Sequence, residues 1–483
     1  MKRSLAELVE VIDVAAKREW QRIKISGISE DSRCIRPGDL FVAIKGYVDD
    51  GHRYIDEAVA RGASAVIIEE QGEALTHSCT VPFVPVSDTR SALAQLAATF
   101  WGHPTRSLFT VGVTGTNGKT TVCHLVAHLL GEGETALIST VANEARNLRA
   151  VTTPSSPIIQ EIAHDALLAA QKHLVVEVSS AGLVLHRVDA IDFDAAVFTN
   201  VTHDHLDFHK DWESYLEAKL LLFCELKPGS WSIVNGDDPA AERILSATQG
   251  KTLTYAIHRD ADLRATDVRY QLRETTFSLH FDAEEVPIRL RLPGEHNVRN
   301  ALAAASVGII RGLSLSTIAQ RLASARSVEG RYQLFRARNG ATVIVDFAHS
   351  PDPLERMLRS LRPFYKRIIC AFGCSGESDR EKRPLMGRIS GRLADLTILT
   401  TDNPKTEDPE RIIDEIEPGL KPTGGRYERI VDRREAIRRA VNLAHPGDVV
   451  LLAGKGHETY QIVGHEFVPY SDAEVLREER LVE

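Results

Sequence analysis

Short apolar runs alternate with amphipathic stretches along this chain. Residues 108–113 have the β-branched bias of a buried strand, and Val122, Leu125, Val126, Leu129 and Leu130 then recur at helical spacing. Comparable strand-like runs occupy 174–178, 195–199, 343–345, 368–372, 396–399 and 449–453. Each ends abruptly in polar residues, as parallel strands do where they deliver side chains to a ligand crevice. No internal repeat or low-complexity segment interrupts the alternation, so the pattern predicts an α/β fold.

At 483 residues the chain is too long for one core. Three blocks are expected, at 1–105, 106–330 and 331–483. The first holds Asp31-Ser32-Arg33 and a Pro37-Gly38-Asp39 turn before an apolar run, and closes after a helix near Trp101-Gly102-His103-Pro104. A net charge of −9 with scattered basic residues argues against nucleic-acid binding. No apolar run reaches the roughly 18 residues that span a bilayer, and Met1-Lys2-Arg3-Ser4-Leu5-Ala6-Glu7 lacks an apolar signal core. The expectation is a soluble cytoplasmic protein without membrane insertion. The six cysteines form no CxxC pair, which predicts reduced thiols and neither a zinc site nor a disulfide framework.

The candidate chemistry centres on Thr114-Gly115-Thr116-Asn117-Gly118-Lys119-Thr120-Thr121. Between a strand and a helix, such a loop aims backbone N–H groups and a helix N-terminus at phosphate oxygens; Lys119 reaches the terminal phosphates and the Thr120 hydroxyl suits Mg²⁺. The glycine usual five residues before Gly118 is replaced by Val113, so Gly115 carries the turn. Glu177, at the end of another strand, is placed to hold Mg²⁺ directly or through water. His203, Asp204, His205, Asp207 and His209 follow a further strand and read as a metal cluster, a proton relay or a polar loop. Lys219 begins an apolar run, where snorkelling is the ordinary reading. Asn297 and Asn300, one turn apart before an Ala-rich helix, offer amides to a base edge, or a cap. In the third block, clusters around Asp346, Asp379-Arg380, Asp402-Asn403-Pro404-Lys405 and Gly454-Lys455-Gly456-His457-Glu458 all follow strands, which predicts convergence at one sheet edge.

Together these motifs resemble the Mur ligases of peptidoglycan synthesis. The resemblance rests on TGTNGKTT at 114–121, TTP at 152–154, EVSS at 177–180, DHLDFH at 204–209, EAK at 217–219, DNPK at 402–405 and GKGHE at 454–458, with DSR at 31–33 and GYVDDGH at 46–52 in the first block. It implies an N-terminal UDP-binding α/β domain, a central ATP-binding domain with a mostly parallel sheet, and a C-terminal Rossmann-like domain that binds an amino acid. The implied activity uses ATP and Mg²⁺ to add a dibasic amino acid to the γ-carboxylate of UDP-MurNAc-L-Ala-D-Glu through an acyl phosphate. Diaminopimelate is favoured by the Thr406-Glu407 continuation; lysine and ornithine are the alternatives.

By the same resemblance Thr120, Glu177 and His205 hold metal, with Lys219 carbamylated to support it. Lys119, Glu177, His205 and Lys219 form the catalytic set. Asn297, Asn300 and Asp346 lie near the adenosine. Ser32, Thr152, Thr153, Ser179 and Arg187 match positions that contact the UDP-muramoyl substrate. Asp402, Asn403, Pro404, Lys405, Gly454 and Glu458 match the amino-acid site, where an anionic Glu458 suits a distal ammonium. The implied protein is a monomer acting on small molecules. Several positions depart from the family pattern: Lys405 and Ser378 stand where arginines are usual, with Arg380 a substitute for the second, and Val151, Ala181 and Leu185 replace Asn, His and Gln. A paralogous ligase joining a different carboxylate and amine, or a nucleotide-binding protein without catalysis, are the other readings.

Overall fold

The structure, a computed structural model, describes residues 1–46, 49–70, 81–202 and 209–483. Three parallel-rich sheets follow one another along the chain. The first has four parallel strands, Ile28–Ser29, Leu40–Val42, Ala65–Glu69 and Phe83–Val86. Helix Thr89–Trp101 covers it; Asp88 caps the start by accepting from Arg90 N and Ser91 N, and Gly102 ends it at φ 77°. This helix also packs on Ser156–Leu168 of the next block, joining the two units.

The central sheet is ordered Glu284–Leu290, Thr275–Phe281, Leu263–Tyr270, Lys251–Ala256, Trp231–Asn235, Ala195–Phe198, Phe109–Thr114, His173–Glu177 and Thr135–Ile138. Its strands are parallel except for the first three, which pair antiparallel with one another and lie outside the predicted strands. The third sheet runs Gln333–Arg336, Thr342–Asp346, Asp448–Ala453, Arg367–Phe372, Leu396–Leu399 and Tyr427–Arg429, parallel after its first pair.

Continuous apolar runs form these strands because both faces are covered. Along Arg367–Phe372, Ile368, Cys370 and Phe372 enter one core, and Ile369 and Ala371 the other. The same alternation sends Val111 and Val113 to one side of the central sheet, and Leu174 and Val176 of the adjacent strand to the other. No helix among the described residues is long and apolar enough to cross a membrane.

Candidate active site

The phosphate loop takes its shape from Val113. That side chain is fully buried, and the residue pairs with both Val197 and Glu177, so the strand continues through Thr114. The turn therefore falls on Gly115, at φ 144°, where a Cβ would sit 2.0 Å from Thr199 Oγ1. Gly118 caps the following helix, Lys119–Leu130, at φ 89°; a Cβ there would lie 2.4 Å from Asn300 Oδ1. Asn200 clamps the loop: its carbonyl accepts from Thr116 N at 2.7 Å, and its side-chain amide exchanges bonds with the Asn117 backbone at 3.0 and 2.9 Å. Lys119 Nζ donates to the carbonyls of Gly115 and Thr116 at 2.9 and 2.8 Å. Thr121, on the first turn, is buried.

Glu177 is 2 % exposed beneath this helix. Thr120 Oγ1 lies 3.0 Å from each of its carboxylate oxygens, and Thr140 donates to it from N at 2.8 Å and from Oγ1 at 3.1 Å. A hydroxyl and a carboxylate at the mouth of a phosphate loop are the hard oxygen donors that Mg²⁺ takes, so these two residues fit the ion. His205 lies outside the described residues, as do 47 and 48 of the first block's glycine-histidine motif.

Lys219 does not snorkel. Helix Trp212–Cys224 carries it inward until it is 1 % exposed, with Nζ 3.0 Å from Gly115 O and 4.0 Å from the Tyr215 ring centroid. Tyr215 OH in turn meets Thr116 Oγ1 at 3.1 Å. Two ammonium groups, Lys119 and Lys219, thus converge on one carbonyl.

A cavity of about 370 Å³ runs from this loop to the third block. Its wall includes Thr116 to Thr121, Thr152, Glu177, Asn297, Asn300, Asp346, His457 and Glu458. Asn297 Nδ2 donates to Pro293 O at 2.8 Å and Asn300 Nδ2 to Asn297 Oδ1 at 3.2 Å. Burial raises the Asp346 carboxyl, although Oδ2 accepts from Tyr332 N at 2.7 Å. On the muramoyl side, Thr153 Oγ1 bonds Glu177 O and Ser179 Oγ at 2.9 and 3.1 Å, and Arg187 Nη1 donates to Thr153 O at 2.7 Å. Thr152 Oγ1 lies 3.3 Å from Thr140 Oγ1, whose own proton goes to Glu177. Ser32 stands apart in the first block, its hydroxyl donating to Glu57 Oε2 at 3.0 Å.

In the third block Asn403 Nδ2 donates to Glu458 Oε2 at 3.0 Å, and the buried Lys455 ammonium reaches Asn403 Oδ1 at 2.8 Å and Glu458 Oε2 at 2.5 Å. Gly454, at φ 111°, lets Asp402 approach; a Cβ there would lie 2.6 Å from Asp402 Oδ2. Burial raises Glu458 against the pull of Lys455. For Asp402 burial is outweighed by Lys455 and Arg433, and its pKa falls. Pro404 is buried beside this knot.

Two expected amino-acid ligands are directed elsewhere. Lys405 takes φ 52° and extends Nζ toward Glu377 O at 3.4 Å. Arg380 is 64 % exposed and pairs with Glu415 at 2.7 Å and Glu407 at 3.5 Å. Neither lines the cavity. The same two carboxylates hold Arg383, whose side chain is fully buried, at 2.8 and 2.9 Å. Glu407 is thereby engaged by arginines.

Three family models match the chain: the Mur ligase family catalytic domain at residues 24–101, the Mur ligase middle domain at 113–308 and the Mur ligase glutamate ligase domain at 330–456. The UDP-N-acetylmuramoyl-L-alanyl-D-glutamate--2,6-diaminopimelate ligase of Syntrophomonas wolfei is 41 % identical, over 98 % of each chain. The chain belongs to the Mur ligase family. A solved structure bearing the same ligase name is 30 % identical with a TM-score of 0.65, covering 99 % of this chain and 98 % of that one. MurF from Acinetobacter baumannii, at 20 % identity, shares the fold at TM-score 0.70 over 100 % and 99 % of the two chains.

Four residues without an assigned role in the sequence tie the domains of this Mur ligase together or organise its site. Arg331 Nη2 donates to Thr120 Oγ1 at 3.3 Å, with its guanidinium 4.4 Å from the Phe347 ring centroid. Asp352 accepts from Asn117 Nδ2 at 3.0 Å. Glu144 Oε1 accepts from Thr459 N and Oγ1 at 2.9 and 2.7 Å. Lys455 fills the knot just described. Asp352 and Lys455 lie inside motifs visible in the sequence, and Arg331 follows Gly330, where a Cβ would sit 1.9 Å from His457 N. Glu144 carries no local signal.

Proposed function

We propose that this Mur ligase couples ATP hydrolysis to amide formation between meso-diaminopimelate and the D-glutamate γ-carboxylate of UDP-MurNAc-L-Ala-D-Glu, acting as a cytoplasmic monomer. The observation that carries the reading is one cavity shared by the phosphate loop, the Thr120–Glu177 pair and Glu458, which Asn403 and Lys455 hold from behind. A carboxylate resists amines because hydroxide leaves poorly. Transfer of the γ-phosphoryl group to it creates an acyl phosphate whose leaving group is phosphate, and the amine then displaces that phosphate. Lys119 and the helix N-terminus hold the phosphates in line and stabilise their charge. Thr120 and Glu177 would hold Mg²⁺, which when bound offsets phosphate charge; by family pattern His205 and a carbamylated Lys219 support a second ion. Asn297, Asn300 and Asp346 take the adenosine. Ser32, Thr152, Thr153, Ser179 and Arg187 take the UDP-muramoyl peptide. Asp402, Asn403, Gly454 and Glu458 take the amino acid.

The names of the relatives support diaminopimelate as the amine. A paralogous ligase with another amine is the second reading, favoured by the outward course of Arg380 and Lys405. Phosphate release from ATP is measured with the UDP-muramoyl dipeptide and each of diaminopimelate, lysine and ornithine. Diaminopimelate should stimulate release most. Stimulation by lysine or ornithine alone rejects the amine assignment, and stimulation by none of the three rejects the reaction.

A further inference from the structure

His457 stands where the two halves of the proposed reaction meet. Its side chain is 3 % exposed yet forms part of the cavity wall. On one side its chain neighbours are Lys455 and Glu458 of the amino-acid knot. On the other, its ring lies 4.9 Å from Phe347, the ring that also carries Arg331, whose guanidinium reaches Thr120 at the phosphate loop. The backbone is fixed there by close approach to Gly330, which leaves no room for a Cβ. Nε2 lies 3.6 Å from Glu144 Oε2, and Glu144 comes from the central domain, so the pair exists only when the two domains are together. The carboxylate favours a proton on Nε2, which makes Nδ1 an acceptor. Nδ1 is buried with no hydrogen-bond partner among the described residues. An orphaned acceptor in a cavity wall calls for a donor from a ligand.

We propose that His457 Nδ1 accepts the proton of the incoming amine as the amide bond forms, with Glu144 orienting the imidazole; this rests on the ligase reading above. The amine, having shed its ammonium proton to solvent, gives its lone pair to the acyl-phosphate carbon. Its N–H proton passes to Nδ1 as the C–N bond forms. The C–O bond then breaks, its electron pair leaving with phosphate, and the imidazolium returns the proton to that phosphate. Burial, reinforced by Arg331, Lys455, His349 and His124, pushes the imidazole pKa down to about 3, so the free enzyme holds the ring neutral but weakly basic, and it takes the proton only once a bound anion raises its basicity. Phosphate bound beside Arg331 offsets one of those cations during the reaction.

The test compares two nucleophiles. Both nucleophiles attack as the neutral amine, but weakly basic hydroxylamine forms an adduct acidic enough to lose its N–H proton to water, whereas the adduct of the strongly basic diaminopimelate amine needs a base. For His457→Ala, and for His457→Asn as a smaller structural change, kcat for amide formation should fall about 100-fold or more, while hydroxamate formation stays within about threefold of wild type. Retained hydroxamate also reports an intact fold and an intact phosphorylation step. Unchanged amide formation, or an equal fall in both reactions for both variants, overturns the role. Failure of the wild-type enzyme to form any hydroxamate rejects the ligase reading itself.

Discussion

Glu177→Gln separates the metal role of this carboxylate from its structural one. The native carboxylate accepts from Thr140 N and Oγ1 through Oε2, and Thr120 Oγ1 lies equally close to both oxygens. A glutamine can keep its carbonyl toward Thr140 and turn its NH₂ to Thr120, whose hydroxyl then accepts. The hydrogen-bond loss is therefore about 1 kcal/mol, or a melting shift of about 2–4 °C for a domain of this size. The charge lost from the metal site has no such substitute. Removing a group that stabilises transition-state charge in a water-poor site lowers kcat by about 100- to 1000-fold, equivalent to about 3–4 kcal/mol. The assay is phosphate release across a Mg²⁺ titration, with thermal melts in parallel. The variant should need more Mg²⁺ for half-maximal rate and recover only partly in excess. Activity within about threefold of wild type with an unchanged Mg²⁺ curve would refute the assignment.

Lys219→Ala should be inactive and partly rescued by short carboxylic acids that replace a carbamate beside Gly115; full activity without rescue makes Lys219 purely structural. Gly118→Ala forces a side chain into φ 89° and against Asn300 Oδ1, so ATP affinity measured by calorimetry should fall while the N-terminal domain's melting is unchanged. Wild-type affinity would refute the loop geometry. Hydrogen bonds from Arg383 hold the Glu407 carboxyl down to about 2, below its ordinary 4.5, so its stabilisation is full above pH 4.5 and lost as pH falls through 2. Glu407→Gln should accordingly lower stability at neutral pH and reduce the drop in melting temperature between pH 4.5 and 2. Parallel curves for variant and wild type would contradict this.

What was legible in the sequence was local. Thr114 to Thr121 are consecutive, and a strand before them and a helix after them suffice to place a phosphate loop. Glu177 was legible because polar residues at the ends of buried parallel strands face the ligand crevice. Lys219 was not, since its environment is a carbonyl more than a hundred residues earlier in the chain. The ion pairs of Arg380 were hidden for the same reason: Glu407 and Glu415 are brought alongside its guanidinium by the fold. Glu144 and Arg331 act across domain boundaries, where no spacing rule applies. The antiparallel extension of the central sheet escaped the pattern of continuous apolar runs because its strands alternate; in Thr275–Phe281 every second residue is buried up to Leu279.

The central claim is that ATP activates the substrate carboxylate as an acyl phosphate. It is tested most directly by labelling the D-glutamate γ-carboxylate of UDP-MurNAc-L-Ala-D-Glu with ¹⁸O and analysing the phosphate released during turnover with diaminopimelate. The account predicts transfer of a labelled oxygen to phosphate with each amide bond formed. Amide formation with phosphate carrying no label would contradict it.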